Sequence, residues 1–226
     1  MSKTKYYSLN NILKCNAIYN LVIGQRSTGK TFACLEYCIK RYFEKGEEFA
    51  LIRRWLDDFK GRRGNALFSA LENNSIIQKY SGGVWTNIVY RSMQFYLGRY
   101  EDGNLVTSDK PIGFCFSLSQ VEHDKSTSYP KIVNIVFDEM LTRSEYGYLN
   151  NEFVLFMNTI STIIRDRGDK EDIKIFMLGN TVSFFSPYFA EMGLKNITKM
   201  KPGTIDVYEY GDSGLRVAVE YTGDNV

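Results

Sequence analysis

The sequence predicts an α/β fold with a mainly parallel sheet and helices on both faces, and three observations carry that prediction. Residues 24–31 read Gly24-Gln25-Arg26-Ser27-Thr28-Gly29-Lys30-Thr31, which satisfies G-x-x-x-x-G-K-[ST] at every constrained position. Residues 131–137 are the most strand-like run in the chain and end in Asp138-Glu139. Around these, short apolar runs alternate with stretches of helical spacing, the pattern of strands joined by crossover helices.

The first motif is a phosphate-cradling P-loop. Its glycines let the backbone turn sharply and aim N–H groups at phosphate oxygens, and the start of the following helix adds a favourable dipole. Lys30 is placed to reach the β- and γ-phosphates of a nucleoside triphosphate, and Thr31 to offer its hydroxyl to Mg²⁺. The flanks fit, since residues 17–23 read as a short buried strand and residues 31–45 carry Phe32, Leu35, Ile39 and Tyr42 on one helical face. Gly46 supplies the helix stop.

A chain of 226 residues suits one good-sized domain with a single core. Its charge is nearly balanced, 28 Lys+Arg against 26 Asp+Glu, so attraction to a polyanion must be local. The four cysteines (Cys15, Cys34, Cys38 and Cys115) form no C-x-x-C pair, and Cys34 and Cys38 read as core thiols one helical turn apart. A single histidine, His123, argues against a histidine-rich metal centre or a histidine-based triad. The sequence has neither a signal-peptide pattern nor a run of membrane-spanning length, and the expected setting is a reducing cytoplasm without a membrane partner.

In chain order, the segment before Asn16 is polar with Tyr6, Tyr7 and Leu9 interleaved, and suits either packing beside a nucleotide base or covering a sheet edge. Residues 48–52 read as a second strand that runs into Arg53-Arg54, a pair that is either solvated or turned towards a phosphate. Residues 60–64, Lys-Gly-Arg-Arg-Gly, read as a flexible basic loop suited to sequence-independent phosphate contacts or simply to solvent. Alternation from residue 84 onwards predicts a β-rich insertion over 84–118. Residues 119–129 are polar and hold Lys125.

The strand over 131–137 then delivers Asp138 and Glu139, the arrangement of a Walker B element: an aspartate that holds Mg²⁺ largely through its water shell, and a glutamate placed to orient and deprotonate a water. An amphipathic helix over 152–164 buries Phe153, Phe156, Ile160 and Ile163 and ends in Arg165-Asp166-Arg167. Those arginines suit either the helix dipole or an arginine finger. Residues 173–178 form another buried strand, which ends at Gly179-Asn180-Thr181 and puts a polar amide where a γ-phosphate sensor belongs. Ser186-Pro187 opens a short helix, and residues 205–210 and 215–221 flank a turn to make a hairpin. The one plausible joint lies near residues 199–203, dividing a body over 1–200 from a hairpin or linker over 201–226.

Taken together, these motifs resemble the DNA-packaging ATPases of small-genome podophages (Picovirinae). The resemblance rests on residues 24–31 and 135–139, Arg165, Ile52-Arg53-Arg54, Asp124-Lys125-Ser126 with Tyr129-Pro130, and Asn180-Thr181-Val182-Ser183 leading to Pro187-Tyr188-Phe189. It implies a P-loop NTPase of the additional-strand catalytic-glutamate (RecA-like) class that hydrolyses ATP with Mg²⁺ and pumps double-stranded DNA into a procapsid. Implied partners are a homo-oligomeric ring, expected as a pentamer, the capsid portal or connector at the portal vertex in the host cytoplasm, and a packaging RNA. Gly24, Gln25, Arg26, Ser27, Thr28, Gly29, Lys30, Thr31 and Asp138 are assigned to nucleotide, Thr31 and Asp138 to the metal, Glu139 to catalysis and Asn180 to sensing. Arg165, or its neighbour Arg167, and Lys125 match positions that act on an adjoining subunit's site. Relatives carry a nuclease-like C-terminal domain, whereas no carboxylate cluster suited to two-metal cleavage follows residue 190, so nuclease activity is not expected of these residues. Two other readings of the motifs remain open: a small P-loop kinase and a non-hydrolysing nucleotide-binding scaffold.

Overall fold

The computed structural model describes residues 6–123, 128–143, 147–165, 173–180 and 185–223. After a short helix, α1 (Asn10–Leu13), come β1 (Tyr19–Gly24), α2 (Lys30–Lys45) and β2 (Glu48–Arg53). Three one-turn helices follow, α3 (Arg62–Ala66), α4 (Ser69–Asn73) and α5 (Ile76–Tyr80). Strands β3 (Asn87–Arg91), β4 (Gln94–Glu101), β5 (Asn104–Thr107) and β6 (Gly113–Ser117) lead to β7 (Ile132–Phe137). The described chain continues with α6 (Glu152–Ile163), β8 (Lys174–Asn180), α7 (Pro187–Glu191), β9 (Thr204–Tyr210) and β10 (Leu215–Tyr221).

All ten strands form one sheet of order β3-β4-β6-β2-β7-β8-β1-β10-β9, with β5 on β4. The run from β6 to β10 is parallel throughout, while β4 and β9 close onto it antiparallel. Every residue of β1 is buried, as a continuous apolar strand covered on both sides must be. Alternate side chains serve separate cores. Leu21 and Ile23 pack with Phe156, Ile160 and Tyr188 of α6 and α7, whereas Val22 packs with Cys34, Leu35, Cys38 and Ile39 of α2. Cys34 and Cys38 are therefore core thiols, and burial pushes both well above the usual thiol range.

Two expectations need correction and one is sharpened: the β-rich segment over 84–118 forms β3 to β6 and is not set apart from the main sheet. Strands β3 to β5 extend the main sheet, and β6 is a parallel neighbour of β2, pairing Leu51 with Cys115. Nor do residues 199–203 separate the final hairpin from the body, because β10 lies parallel against β1 in a register that matches Tyr19 with Val217 and Ile23 with Tyr221. The basic segment 60–64 is not a flexible loop, since Arg62 onward forms α3 and Gly64 is buried within it. Lys60 and Arg63 are turned onto Asp57 and Asp58, so their charges are locally matched.

A side chain at Gly64 has no room. A Cβ there would lie 2.5 Å from the Phe59 carbonyl oxygen and 2.6 Å from the Tyr90 ring. Gly64→Ala is expected to cost about 1–3 kcal/mol of stability, as overpacking does, despite the higher helix propensity of alanine. Urea unfolding checks this, and an unchanged midpoint would mean that the segment does not pack as described.

Candidate functional site

The C-terminal ends of β1, β8, β7 and β2 lie side by side and build one cleft of about 460 Å³. Its wall carries Arg26, Lys30 and Arg53 against Asp138 and Glu139, a mixed lining that suits a polyanion accompanied by a cation.

The loop between β1 and α2 is held from below. Gly24 touches Thr222, the residue just after β10, where a Cβ would sit 1.8 Å from the Thr222 hydroxyl oxygen, so only glycine allows this approach. Thr222 also donates its backbone N–H to the Ile23 carbonyl at 2.8 Å. Ser27 and Gly29 take positive φ, 61° and 91°, which turns the chain tightly into α2. On the outer side the Tyr7 N–H donates to the Thr28 carbonyl at 3.0 Å, while the Tyr7 hydroxyl donates to Glu220 at 2.6 Å. Of the two roles open to the N-terminal segment, the described residues thus place Tyr7 against the loop and β10 together.

Lys30, the first residue of α2, folds its ammonium inward. It donates to the carbonyls of Gly24 and Gln25 and, at 3.4 Å, to the Asn180 side-chain oxygen at the tip of β8. The Thr31 hydroxyl donates to Asp138 Oδ1 at 3.1 Å, which ties the start of α2 to the end of β7.

Arg53 ends β2 and Arg54 follows it, and because successive extended residues point to opposite faces they meet opposite surroundings. The Arg53 guanidinium spans both carboxylates, with Nη2 2.7 Å from Asp138 Oδ2 and Nη1 3.1 Å from Glu139 Oε2. Arg54 is buried on the α6 side and forms a fork-to-fork pair with Glu152, Nε to Oε2 at 2.7 Å and Nη2 to Oε1 at 2.8 Å. Neither arginine is the solvated residue that the sequence left open, and Arg54 is fully engaged away from the cleft. Glu139 itself has φ 62°, left-handed backbone that a glutamate rarely adopts, and its side chain is about half exposed.

Of the residues singled out from sequence, Lys30, Thr31, Asp138, Glu139 and Asn180 converge here. Arg165 lies just past the end of α6, exposed. Lys125, Arg167 and residues 181–183 fall outside the described residues. Sequence reasoning missed Glu152 and Glu220, because each is recognised only by a partner distant in the chain, Arg54 and Tyr7. Arg53 was noticed, but nothing in its local pattern identified the carboxylates it would meet.

A family model described as podovirus DNA encapsidation protein (Gp16) matches residues 1–210. The DNA packaging protein of Bacillus phage B103 is 32% identical over 184 residues, 81% of this chain and 50% of that protein. The chain spans about half the length of the curated relatives it matches. Among solved structures it is similar to the N-terminal domain of the DNA packaging ATPase from bacteriophage phi29, with a TM-score of 0.73 and 26% identity, covering 98% of this chain and 97% of that one. A chain of the bacteriophage phi29 genome packaging motor assembly matches at a TM-score of 0.63 and 25% identity, covering 95% of this chain and 57% of that one.

Burial pulls the Lys30 ammonium down from its ordinary 10.5 to about 8, an effect that nearby Asp138 only partly offsets. The charged form therefore persists below pH 8 and is lost as pH rises through it. Lysine NMR titration, with Lys30→Met to assign the signal, is expected to show one lysine titrating near pH 8, and no lysine midpoint below 10 would contradict the inward-folded ammonium.

Proposed function

The chain belongs to the podovirus DNA encapsidation protein family, and from that membership we propose that it is the ATP-hydrolysing part of a motor that drives double-stranded DNA into a viral procapsid. The observation that carries the hydrolytic reading is the meeting of Lys30, Thr31, Asp138, Glu139 and Asn180 in one cleft, with a cation already laid across the two carboxylates. Strand order supports the additional-strand catalytic-glutamate class, because β8, bearing Asn180, lies between the P-loop strand β1 and the carboxylate strand β7.

In this reading the loop amides and Lys30 hold the triphosphate of ATP, and Lys30 exchanges its carbonyl partners for phosphate oxygens. The donor set fits Mg²⁺, since a hydroxyl and a carboxylate oxygen, those of Thr31 and Asp138, stand within 3.1 Å of one another. When bound, that ion would neutralise part of the charge of the triphosphate. Glu139 takes the proton of the attacking water, which requires its oxygen to leave Arg53. Asn180 reaches the same region and reports whether the γ-phosphate is present. Lys30 then balances the negative charge that develops on the transferred group.

A second cavity of about 240 Å³ adjoins the carboxylates and is lined by Arg26, Trp55, Glu139 and Arg143. Its carboxylates, Asp58, Asp138 and Glu139, are acceptors for a cation from a neighbouring subunit, the role proposed for Arg165 or Arg167 with Lys125 as a second such residue. That cation would meet Arg53 and Arg54, which also line the cavity, and would compete with Arg53 for Asp138 and Glu139. A closed ring, pentameric in this proposal, seated at the capsid portal in the host cytoplasm and joined there by a packaging RNA, supplies that neighbour. The ATPase body of the proposal includes the hairpin of β9 and β10, because β10 is a sheet neighbour of β1.

Glu139→Gln is expected to lower steady-state ATP turnover by at least about 10²-fold while leaving nucleotide affinity within a few-fold. Turnover of the unsubstituted chain should rise with protein concentration and with added duplex DNA at low salt. Wild-type turnover in Glu139→Gln would overturn the assignment of the base, and indifference to DNA and concentration would overturn the motor.

A further inference from the structure

Behind the cleft lies a buried polar cluster with no role in the phosphate contacts. The side chains of Arg54 and Glu152 are only 7% and 0% exposed, and their paired geometry satisfies both oxygens of the carboxylate. Glu152 accepts two further hydrogen bonds, from the Tyr188 hydroxyl at 2.7 Å and from the Leu149 N–H at 2.8 Å. The Tyr148 ring lies 5.2 Å from the guanidinium carbon. The Arg54 hydrogens left over by Glu152 point at the backbone that follows β7: Nη2 donates to the Met140 carbonyl at 2.8 Å and Nη1 to the Glu139 carbonyl at 3.2 Å.

Glu139 is the residue in that stretch with left-handed backbone, at φ 62°. A glutamate does not hold such a conformation unless its surroundings over-determine it. Three contacts do so here. The Glu139 N–H donates to Asp138 Oδ1 at 3.0 Å, the Met140 N–H donates to the Leu178 carbonyl at 2.8 Å, and Arg54 fixes the two carbonyls from behind. The first of these uses the metal-site aspartate and the second is backbone alone, so only the third depends on side chains that the site chemistry leaves free to vary.

We propose that Arg54 and Glu152 are positioning residues for Glu139: their buried pair clamps the Glu139 and Met140 carbonyls, and so sets the direction in which the Glu139 carboxylate enters the cleft. This rests on the reading that Glu139 acts on the attacking water. Glu152 orients the guanidinium, and Arg54 transmits that orientation to the backbone. A lysine cannot substitute, because a single ammonium does not reach the carboxylate and both carbonyls in the same plane.

Two readouts separate this role from general stabilisation. In Arg54→Lys, hydrogen exchange of the Glu139 and Met140 amides is expected to quicken at least tenfold while exchange in the centre of α2 keeps its wild-type rate. ATP turnover should fall at least tenfold, with the affinity for Mg·ATP changed less than threefold. Arg54→Met with Glu152→Leu, which removes the pair without leaving a lone buried charge, should do the same if Arg54→Lys fails to fold. Unchanged exchange at Glu139 and Met140 overturns the clamp, as does faster exchange with unchanged turnover. If the unsubstituted chain binds ATP and never hydrolyses it, the hydrolytic reading fails instead, and the exchange arm still decides whether the clamp exists.

Discussion

Everything in the cleft depends on the parallel register of three strands. β1 matches β8 residue for residue, Ile23 with Gly179 and Gly24 with Asn180, and β8 in turn matches β7, Met177 with Phe137. β1 and β8 therefore end level, and β7 stops three residues earlier, opposite Met177, so that Asp138 and Glu139 follow it beside the last residues of β8. A one-residue slip would send each apolar set to the wrong face and would move Asn180 away from Lys30. The pairing is held by burial on both sides, with α2 over one face and α6 and α7 over the other. The geometry of the cleft is consequently a property of strand ends, positioned by side chains buried away from it.

Two adjacent arginines show how the same residue type is put to unlike uses by strand alternation. Arg53 remains at the rim of the cleft, bound to the carboxylates of Asp138 and Glu139. Arg54 points the other way and is desolvated, which is favourable only because its fork geometry finds a matching carboxylate and two carbonyls. The Glu152 carboxylate also opens α6, where the helix dipole favours negative charge. A rim pair can exchange partners with whatever enters the cleft, whereas a buried pair with every oxygen engaged is a fixture. The molecule thus keeps a labile cation and a fixed one on consecutive residues.

Much of this architecture was legible in the sequence wherever the signal was local. The P-loop, the helix stop at Gly46, the strand delivering Asp138 and Glu139, the capped start of α7 at Ser186 and the final hairpin each follow from a few neighbouring residues. What could not be read was pairing across distance. Arg54 with Glu152, Tyr7 with Glu220 and the neighbours of β1 are set by topology, on which composition and period are silent. Residues 60–64 misled for a related reason: glycine and arginine suggest a solvated loop, yet Gly64 is there because Phe59 and Tyr90 leave no space. Small size, not flexibility, selected it.

The placement of β1 also governs the birth of the molecule. This strand is complete by residue 24, but its two neighbours are β8, at 174–180, and β10, at 215–221. On the ribosome this strand emerges early and must wait until residue 180 has been made before its first edge is covered, and until residue 221 for the second. Such distant pairings are slow to form, and an apolar strand with both edges open is prone to join the wrong partner in the interval. The strand that opens the cleft is thus written early and enclosed late, by partners that follow it by about 150 residues or more.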